Sequence, residues 1–396
     1  MDLHLSDDTV CARAAGGAAT ANRPSVPPIY QTAAFDVDGP GQLEEIYGRR
    51  LDGYIYTRDA NPNHDAFAAD VARLEGAAAG VAAASGMGIL AAAVLGRVRA
   101  GDHVVAVGQL YGKSMALLAH LQSAFGVAVT NVAVNDAAGL RAAITPATRL
   151  VLAESISNPT MEVADLPALA EAAGPVPLMV DATFSPPTLL RPLEHGAAVS
   201  WHSATKYLNG HGDVTLGVLA GPAEFVQRTA AMVSLFGANA NPFECWLAAR
   251  GMRTLPLRTA RVSATATDLA GFLSAHRAVG RVFYPGLPGH GTHEVARRLL
   301  TRGFGGMLAF ELIGGAPAVE ALFAALRDAI PFSPTLADAR TTVSYPARTS
   351  HRGMTPEQRR AWGIADGLVR LSVGLEDPAD LMRELGTALE RVITAG

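Results

Sequence analysis

A chain of 396 residues exceeds what one ordinary hydrophobic core fills, so two or more domains are expected. With 49% hydrophobic and 17% charged residues it is a well-buried globular chain, not a disordered one. A formal net charge of −4 gives no basis for nucleic acid or an anionic membrane as partner, and the two cysteines, Cys11 and Cys245, form neither a disulfide framework nor a zinc site and fit a reducing, cytoplasmic setting.

The acidic start, Met1-Asp2-Leu3-His4-Leu5-Ser6-Asp7-Asp8, lacks the basic and apolar regions of a signal peptide. Residues 1–58 read as an arm, because Pro24, Pro27 and Pro28 break a short apolar pattern. From 59 to 255, short apolar runs alternate with helical patterns. The uncharged run Gly76 to Gly96 has about the length of a membrane span. Its Ala and Gly content, with Ser85-Gly86 in the middle, predicts a buried helix packed on a sheet instead. Strands are predicted at Asp102 to Val107, Val127 to Thr130, Leu150 to Ala153, Pro177 to Val180 and Ala197 to Ser200. Helices are predicted at Ser114 to Phe125 and Asp165 to Ala173. This alternation implies an α/β fold with a mostly parallel sheet covered on both faces. A long amphipathic pattern, Thr259 to Ala278, leads into residues 256–396. There Gly306 to Leu312 and Gly367 to Val373 read as strands of a smaller α+β domain. No internal repeat or low-complexity linker separates these parts.

Ligands of an open α/β sheet collect at the carboxyl ends of its strands, and several reactive residues fall there. Ser203-Ala204-Thr205-Lys206 follows the Ala197–Ser200 run, and Asp181 follows Val180. A lysine beside hydroxyls can hold an aldehyde cofactor, and an aspartate can hold a pyridinium nitrogen. Pyridoxal phosphate (PLP) needs both. Each has a bland alternative: Lys206 as a solvated strand-end lysine, Asp181 as a cap or turn residue. Glu154 to Asn158 follow the Leu150–Ala153 run in the same way.

Ser85-Gly86-Met87-Gly88 opens a helical segment, where free N–H groups can receive a phosphate or the glycines can serve packing. Arg58, in Tyr56-Thr57-Arg58, is either a phosphate clamp or a solvated charge. Tyr111 is either a lid over a planar ring or a core tyrosine. Arg370, inside an apolar run, calls for a carboxylate, internal or from a substrate. His290 and His293 form an HxxH in a Gly/Pro loop, not on a helix, which argues against a metal site. No nucleophile elbow, P-loop or dinucleotide fingerprint stands in the required context.

The ordered set Pro28-Ile29-Tyr30-Gln31-Thr32, Tyr54-Ile55-Tyr56-Thr57-Arg58, Leu74-Glu75-Gly76, Ser85-Gly86-Met87, Leu110-Tyr111-Gly112, Ser157-Asn158-Pro159-Thr160, Ser203-Ala204-Thr205-Lys206-Tyr207, Tyr284-Pro285-Gly286-Leu287 and Arg370-Leu371-Ser372-Val373-Gly374 resembles the Cys/Met-metabolism family of PLP enzymes. That group includes cystathionine γ-lyases, cystathionine γ-synthases, methionine γ-lyases and O-acetylhomoserine sulfhydrylases, and the resemblance covers nearly the whole chain.

The resemblance implies a fold-type I, aspartate aminotransferase-like subunit in a homotetramer of two active dimers. The arm 1–58 would complete the neighbouring subunit's site, residues 59–255 would hold the cofactor, and 256–396 would form the smaller domain. It implies Lys206 as the Schiff-base lysine and Asp181 as the ring-nitrogen partner. Gly86, Met87, Ser203 and Thr205 match the phosphate cradle, and Tyr56 and Arg58 the pair that reaches it from the neighbour. Tyr111 matches the stacking tyrosine, Asn158 the asparagine near the ring hydroxyl, and Arg370 the substrate-carboxylate arginine. Thr183 joins the cofactor contacts, and Arg340 and Thr341 stand where specificity residues are placed. The implied reaction is γ-elimination or γ-replacement on an L-amino acid derived from homoserine or homocysteine. The alternatives are β-elimination on cystathionine or cysteine, an unusual γ-substituted substrate of a specialised biosynthesis, or PLP binding without catalysis.

Three departures stand out. Asp181-Ala182-Thr183-Phe184 has alanine where the family commonly has asparagine. Lys113 replaces the cysteine seen in methionine γ-lyases. Lys113 and Arg340, if they face the pocket, imply an anionic or polar distal group on the substrate. His351 matches a family histidine in the same region.

Overall fold

The apolar runs form two separate sheets in the computed structural model, which describes residues 5–13 and 24–395. Met1–His4 of the acidic start and residues 14–23 of the expected arm lie outside the described residues. The larger sheet comprises β1 (Ala79–Ala83), β2 (His103–Val107), β3 (Ala128–Val132), β4 (Thr148–Glu154), β5 (Leu178–Asp181), β6 (Val199–Ser203) and β7 (Gly217–Gly221), in the spatial order β1-β7-β6-β5-β4-β2-β3. Strands β6, β5, β4, β2 and β3 run parallel, and β7 lies antiparallel between β1 and β6. The sheet is thus mostly parallel, as expected.

Its strands read as unbroken apolar runs because both faces are covered. Successive side chains of a strand point to opposite faces. Val105, Val107, Val151, Ala153 and Val180 enter one core, while Val104, Ala106, Leu150, Leu152 and Met179 enter the other. The predicted helices form over Gly112–Phe125 and Leu166–Ala173.

The run Gly76 to Gly96 is not a single helix. It divides into β1 and the helix Gly86–Leu95, with Ser85 between them accepting the Gly88 N–H at 3.0 Å. An Ala/Gly run has no polar face, so periodicity cannot separate strand from helix. The Ser85 cap is the one local signal of the break. The predicted Thr259–Ala278 helix spans Leu255–Ser274. It starts earlier because Pro256 sits in the first turn, where a missing N–H costs nothing.

The second sheet comprises β8 (Val279–Phe283), β9 (Met307–Leu312), β10 (Thr342–Ser344) and β11 (Leu368–Ser372), antiparallel in the order β10-β11-β9-β8. One face, with Leu308, Phe310, Val369 and Leu371, packs on the helices Leu255–Ser274 and Gly315–Leu326, and the helix Pro378–Ala395 closes the same core against both. Alternation then turns Arg370 to the opposite face of β11, where it meets Asn158.

At the N-terminal end, the helix Asp7–Ala12 buries Val10 and Cys11 in the larger core. Asn63 holds the following stretch by accepting the Tyr30 N–H at 2.8 Å and donating to the Pro28 carbonyl at 2.9 Å. Among the described residues no helix is long and apolar enough to cross a membrane.

Candidate active site

The site arises from strand register. Glu154 at the end of β4 pairs with Asp181 at the end of β5, and Asp181 pairs with Trp201 on β6. The two carboxylates and, two residues beyond Trp201, Ser203 therefore stand along one face at the carboxyl ends of three parallel strands. They open into a cavity of about 630 Å³, a size suited to a small ligand. The sequence-predicted residues Gly86, Met87, Tyr111, Asn158, Asp181, Thr183, Ser203, Thr205, Lys206 and Arg370 all line it.

One end is built for an anion. The helix Gly86–Leu95 begins there, against Ser203. A Cβ on Gly86 would lie 2.8 Å from the Ser203 Cβ, so only glycine keeps this corner open. The Ser203 N–H donates to the Thr183 hydroxyl at 2.9 Å, and the Thr205 hydroxyl accepts the Leu216 N–H at 3.0 Å. These bonds fix the turn that carries Lys206.

The floor holds two acids. Burial pushes Glu154 well above the usual carboxylate range, the neighbouring Asp181 adds to this, and the Tyr111 and Asn158 N–H groups oppose it. Burial also raises Asp181, against hydrogen bonds from Thr183, whose N–H lies at 2.9 Å. No lysine or arginine forms an ion pair with Asp181 among the described residues.

Lys206 stands opposite. Its ammonium is pushed down to about 8, first by burial and then by the Arg370 charge, and its Nζ donates to the Thr335 hydroxyl at 2.8 Å. Arg370 is 4% exposed and has no carboxylate partner among the described residues. One guanidinium nitrogen donates to Asn158 Oδ1 at 3.1 Å, while its Nε is buried without a partner. Burial lowers Arg370 to about 10. Tyr111 lies half open at the mouth, and its N–H donates to Glu154 Oε1 at 2.5 Å. His351 is buried and pushed down to about 4 by burial, then by the Arg370 and Arg359 charges.

Other predicted residues lie outside the cavity of this subunit. Tyr56 and Arg58 are exposed and stacked on each other at 5.0 Å, with Arg58 3.7 Å from Asp59. Arg340 is exposed beside a separate groove lined by Glu376 and Asp380. Thr341 is buried, donates to Glu376 Oε2 at 2.7 Å and accepts the Gly374 N–H at 2.8 Å. His290 and His293 each bond a backbone carbonyl, of Thr160 and Pro285 respectively. Of the two cations read as charging the pocket if they face it, Lys113 lines the cavity and Arg340 does not; the cavity also contains Glu154, Arg348 and Arg352, to which the sequence assigned no role. Glu154 carried the same signal as Asp181, an acid ending an apolar strand.

These residues fit PLP. A glycine-opened helix end and the Ser203 and Thr205 hydroxyls suit its phosphate. A buried acid without a cation suits a protonated ring nitrogen, and a half-buried lysine of lowered pKa suits its aldehyde. The orphaned Arg370 Nε suits a substrate carboxylate.

Comparison with known proteins agrees. A family model described as Cys/Met metabolism PLP-dependent enzyme matches residues 8–390. The L-methionine gamma-lyase of Porphyromonas gingivalis is 41% identical over 92% of both chains. The O-succinylhomoserine sulfhydrylase of Pseudomonas aeruginosa is 37% identical over 91% of this chain and 90% of that one. The crystal structure of cystathionine gamma synthase from Xanthomonas oryzae pv. oryzae in complex with cystathionine superposes with a TM-score of 0.93 at 35% identity, covering 99% of this chain and 100% of that one. The chain belongs to the Cys/Met-metabolism family of PLP-dependent enzymes.

Proposed function

We propose that this enzyme catalyses γ-elimination or γ-replacement on a γ-substituted L-amino acid of the homoserine or homocysteine type. The observation that carries this reading is the meeting of Lys206, Asp181, Tyr111 and Arg370 around one cavity. Bound PLP supplies an electron-withdrawing ring that stabilises negative charge developing at the substrate Cα. Lys206 would hold the cofactor aldehyde and, once released from it, would take the Cα proton and then a Cβ proton, whose bonding pair expels the γ-group, tasks suited to an amine whose pKa is lowered to about 8. Asp181 would keep the ring nitrogen of the bound cofactor protonated, and Glu154 fixes Tyr111 through its backbone. Arg370 binds the α-carboxylate with Asn158 beside it, which sets the Cα–H bond toward Lys206. Tyr111, at the mouth, delivers a proton to the departing γ-group.

The same proposal assigns residues 59–255 to cofactor binding and 256–396 to the smaller domain. It makes the arm 1–58 part of a neighbour's site within a cytoplasmic homotetramer. The exposure of Tyr56 and Arg58, away from their own cavity, supports that role. The test is a panel of γ-substituted amino acids assayed for 2-oxobutyrate, with and without a thiol. Release of 2-oxobutyrate supports elimination, and its replacement by a thioether product supports replacement. Pyruvate from cystathionine, without 2-oxobutyrate from any substrate, would move the reaction to Cβ.

A further inference from the structure

We propose that Lys113, Arg348 and Arg352 form a distal anion subsite, so that the preferred substrate carries a terminal anion on its γ-substituent. This rests on the γ-elimination reading above and names the substrate class for the same cavity.

The cavity has three places suited to negative charge. The glycine-opened helix end and Arg370 are two. The third wall joins Lys113, in the first turn of the helix Gly112–Phe125, to Arg348 and Arg352 on the segment after β10. Close packing brings these segments together. A Cβ on Gly112 would lie 2.9 Å from the Ser350 carbonyl oxygen, and Gln109 donates to the Trp362 carbonyl at 2.8 Å. Lys113 follows Gly112 directly, and Arg352 stands two residues beyond Ser350.

These cations lack strong internal partners. The side chains of Lys113 and Arg352 make no ion pair or hydrogen bond among the described residues. Arg348 meets Glu320 at 3.5 Å in an exposed pair, which binds weakly. Arginines elsewhere on the surface are often better matched, as in Arg149 with Asp102 at 2.8 Å and Arg297 with Glu294 at 3.0 Å. The two cavity acids, Glu154 and Asp181, sit at the strand ends and pair with none of the three. In a chain of net charge −4, three cavity-lining cations, two of them without an acid partner among the described residues, do not follow from bulk composition.

A neutral thioether gains little from this wall and strips water from it. A terminal carboxylate or phosphate gains charge-assisted hydrogen bonds there. The helix Gly112–Phe125 also starts without a side-chain cap, so its free N–H groups reinforce the same preference.

The test uses the PLP-loaded enzyme and three unreactive amino acids of matched chain length: L-2-aminoadipate, L-2-amino-5-phosphonopentanoate and L-norleucine. Binding is read from the visible spectrum of the bound cofactor. The two anionic ligands are expected to bind about tenfold or more tightly than norleucine, with the ratio shrinking in high salt. Comparison of the first two separates a carboxylate site from a phosphate site. The ratio is expected to collapse toward one in Lys113→Met and in Arg352→Gln. Equal binding of all three ligands by the native enzyme would overturn the subsite, as would a ratio untouched by both substitutions. A preference without either 2-oxobutyrate release or, in the presence of a thiol, thioether formation from O-succinyl-L-homoserine would support the subsite and overturn the proposed reaction at Cγ instead.

Discussion

Lys206 and Arg370 are coupled by charge. The Arg370 cation adds to burial in disfavouring the Lys206 ammonium, so removing it raises the lysine pKa. In cofactor-free enzyme, acylation of Lys206 by a neutral reagent should rise with a midpoint near pH 8. Arg370→Gln should move that midpoint upward, whereas an unchanged midpoint contradicts the coupling. The same substitution leaves the substrate carboxylate without its cation. We expect kcat/KM to fall by about a hundredfold or more, measured as 2-oxo acid release. At this scale Lys206, Asp181 and Arg370 were legible because each is a polar residue at the end of, or inside, an apolar strand. The path of the 346–363 segment was not. Arginines at 340, 348 and 352 look alike in sequence, and only packing against Gly112 brings the last two to the cavity.

Among the elements, the turn between β1 and the helix Gly86–Leu95 carries the most function per residue. Its backbone is open to other side chains in conformation but not in space, because of Ser203. Gly86→Ala should therefore weaken PLP binding by about tenfold or more while the cofactor-free enzyme stays folded, as checked by titration and by circular dichroism. Behind the sheet, His202 on β6 bonds buried Glu75 at 2.5 Å, with Ser200 at 3.2 Å from the same carboxylate oxygen. Glu75→Ala leaves His202 with only the 3.4 Å contact to Ser200 and should cost about 1–3 kcal/mol in urea unfolding. A loss below 1 kcal/mol would show that the pair is dispensable. The parallel strands were legible from their unbroken apolar runs. β1 was hidden in an Ala/Gly stretch without a polar face, and the reversed β7 has no local feature that marks its direction.

For the whole molecule, a single subunit presents Tyr56 and Arg58 on its surface, away from its own cavity. If those residues complete a neighbour's phosphate site, Arg58→Ala and Lys206→Ala enzymes should each be inactive alone. Co-expressed subunits should regain activity, because a mixed dimer rebuilds one intact site. No recovery in verified mixed dimers would confine each site to its own subunit. The long helix between the two sheets was legible from its amphipathic pattern, whereas nothing in the sequence marked the second sheet as antiparallel. Burial of Cys11 in the larger core was not, since the short helix Asp7–Ala12 carries too little apolar pattern.

The most direct test of the account is the visible spectrum of the purified enzyme incubated with PLP, followed by addition of γ-substituted amino acids in the same cuvette. The account predicts a visible band in the native enzyme, its loss in Lys206→Ala, and 2-oxobutyrate release by the native enzyme alone. No band after incubation with PLP, or a band that survives in Lys206→Ala, would contradict it.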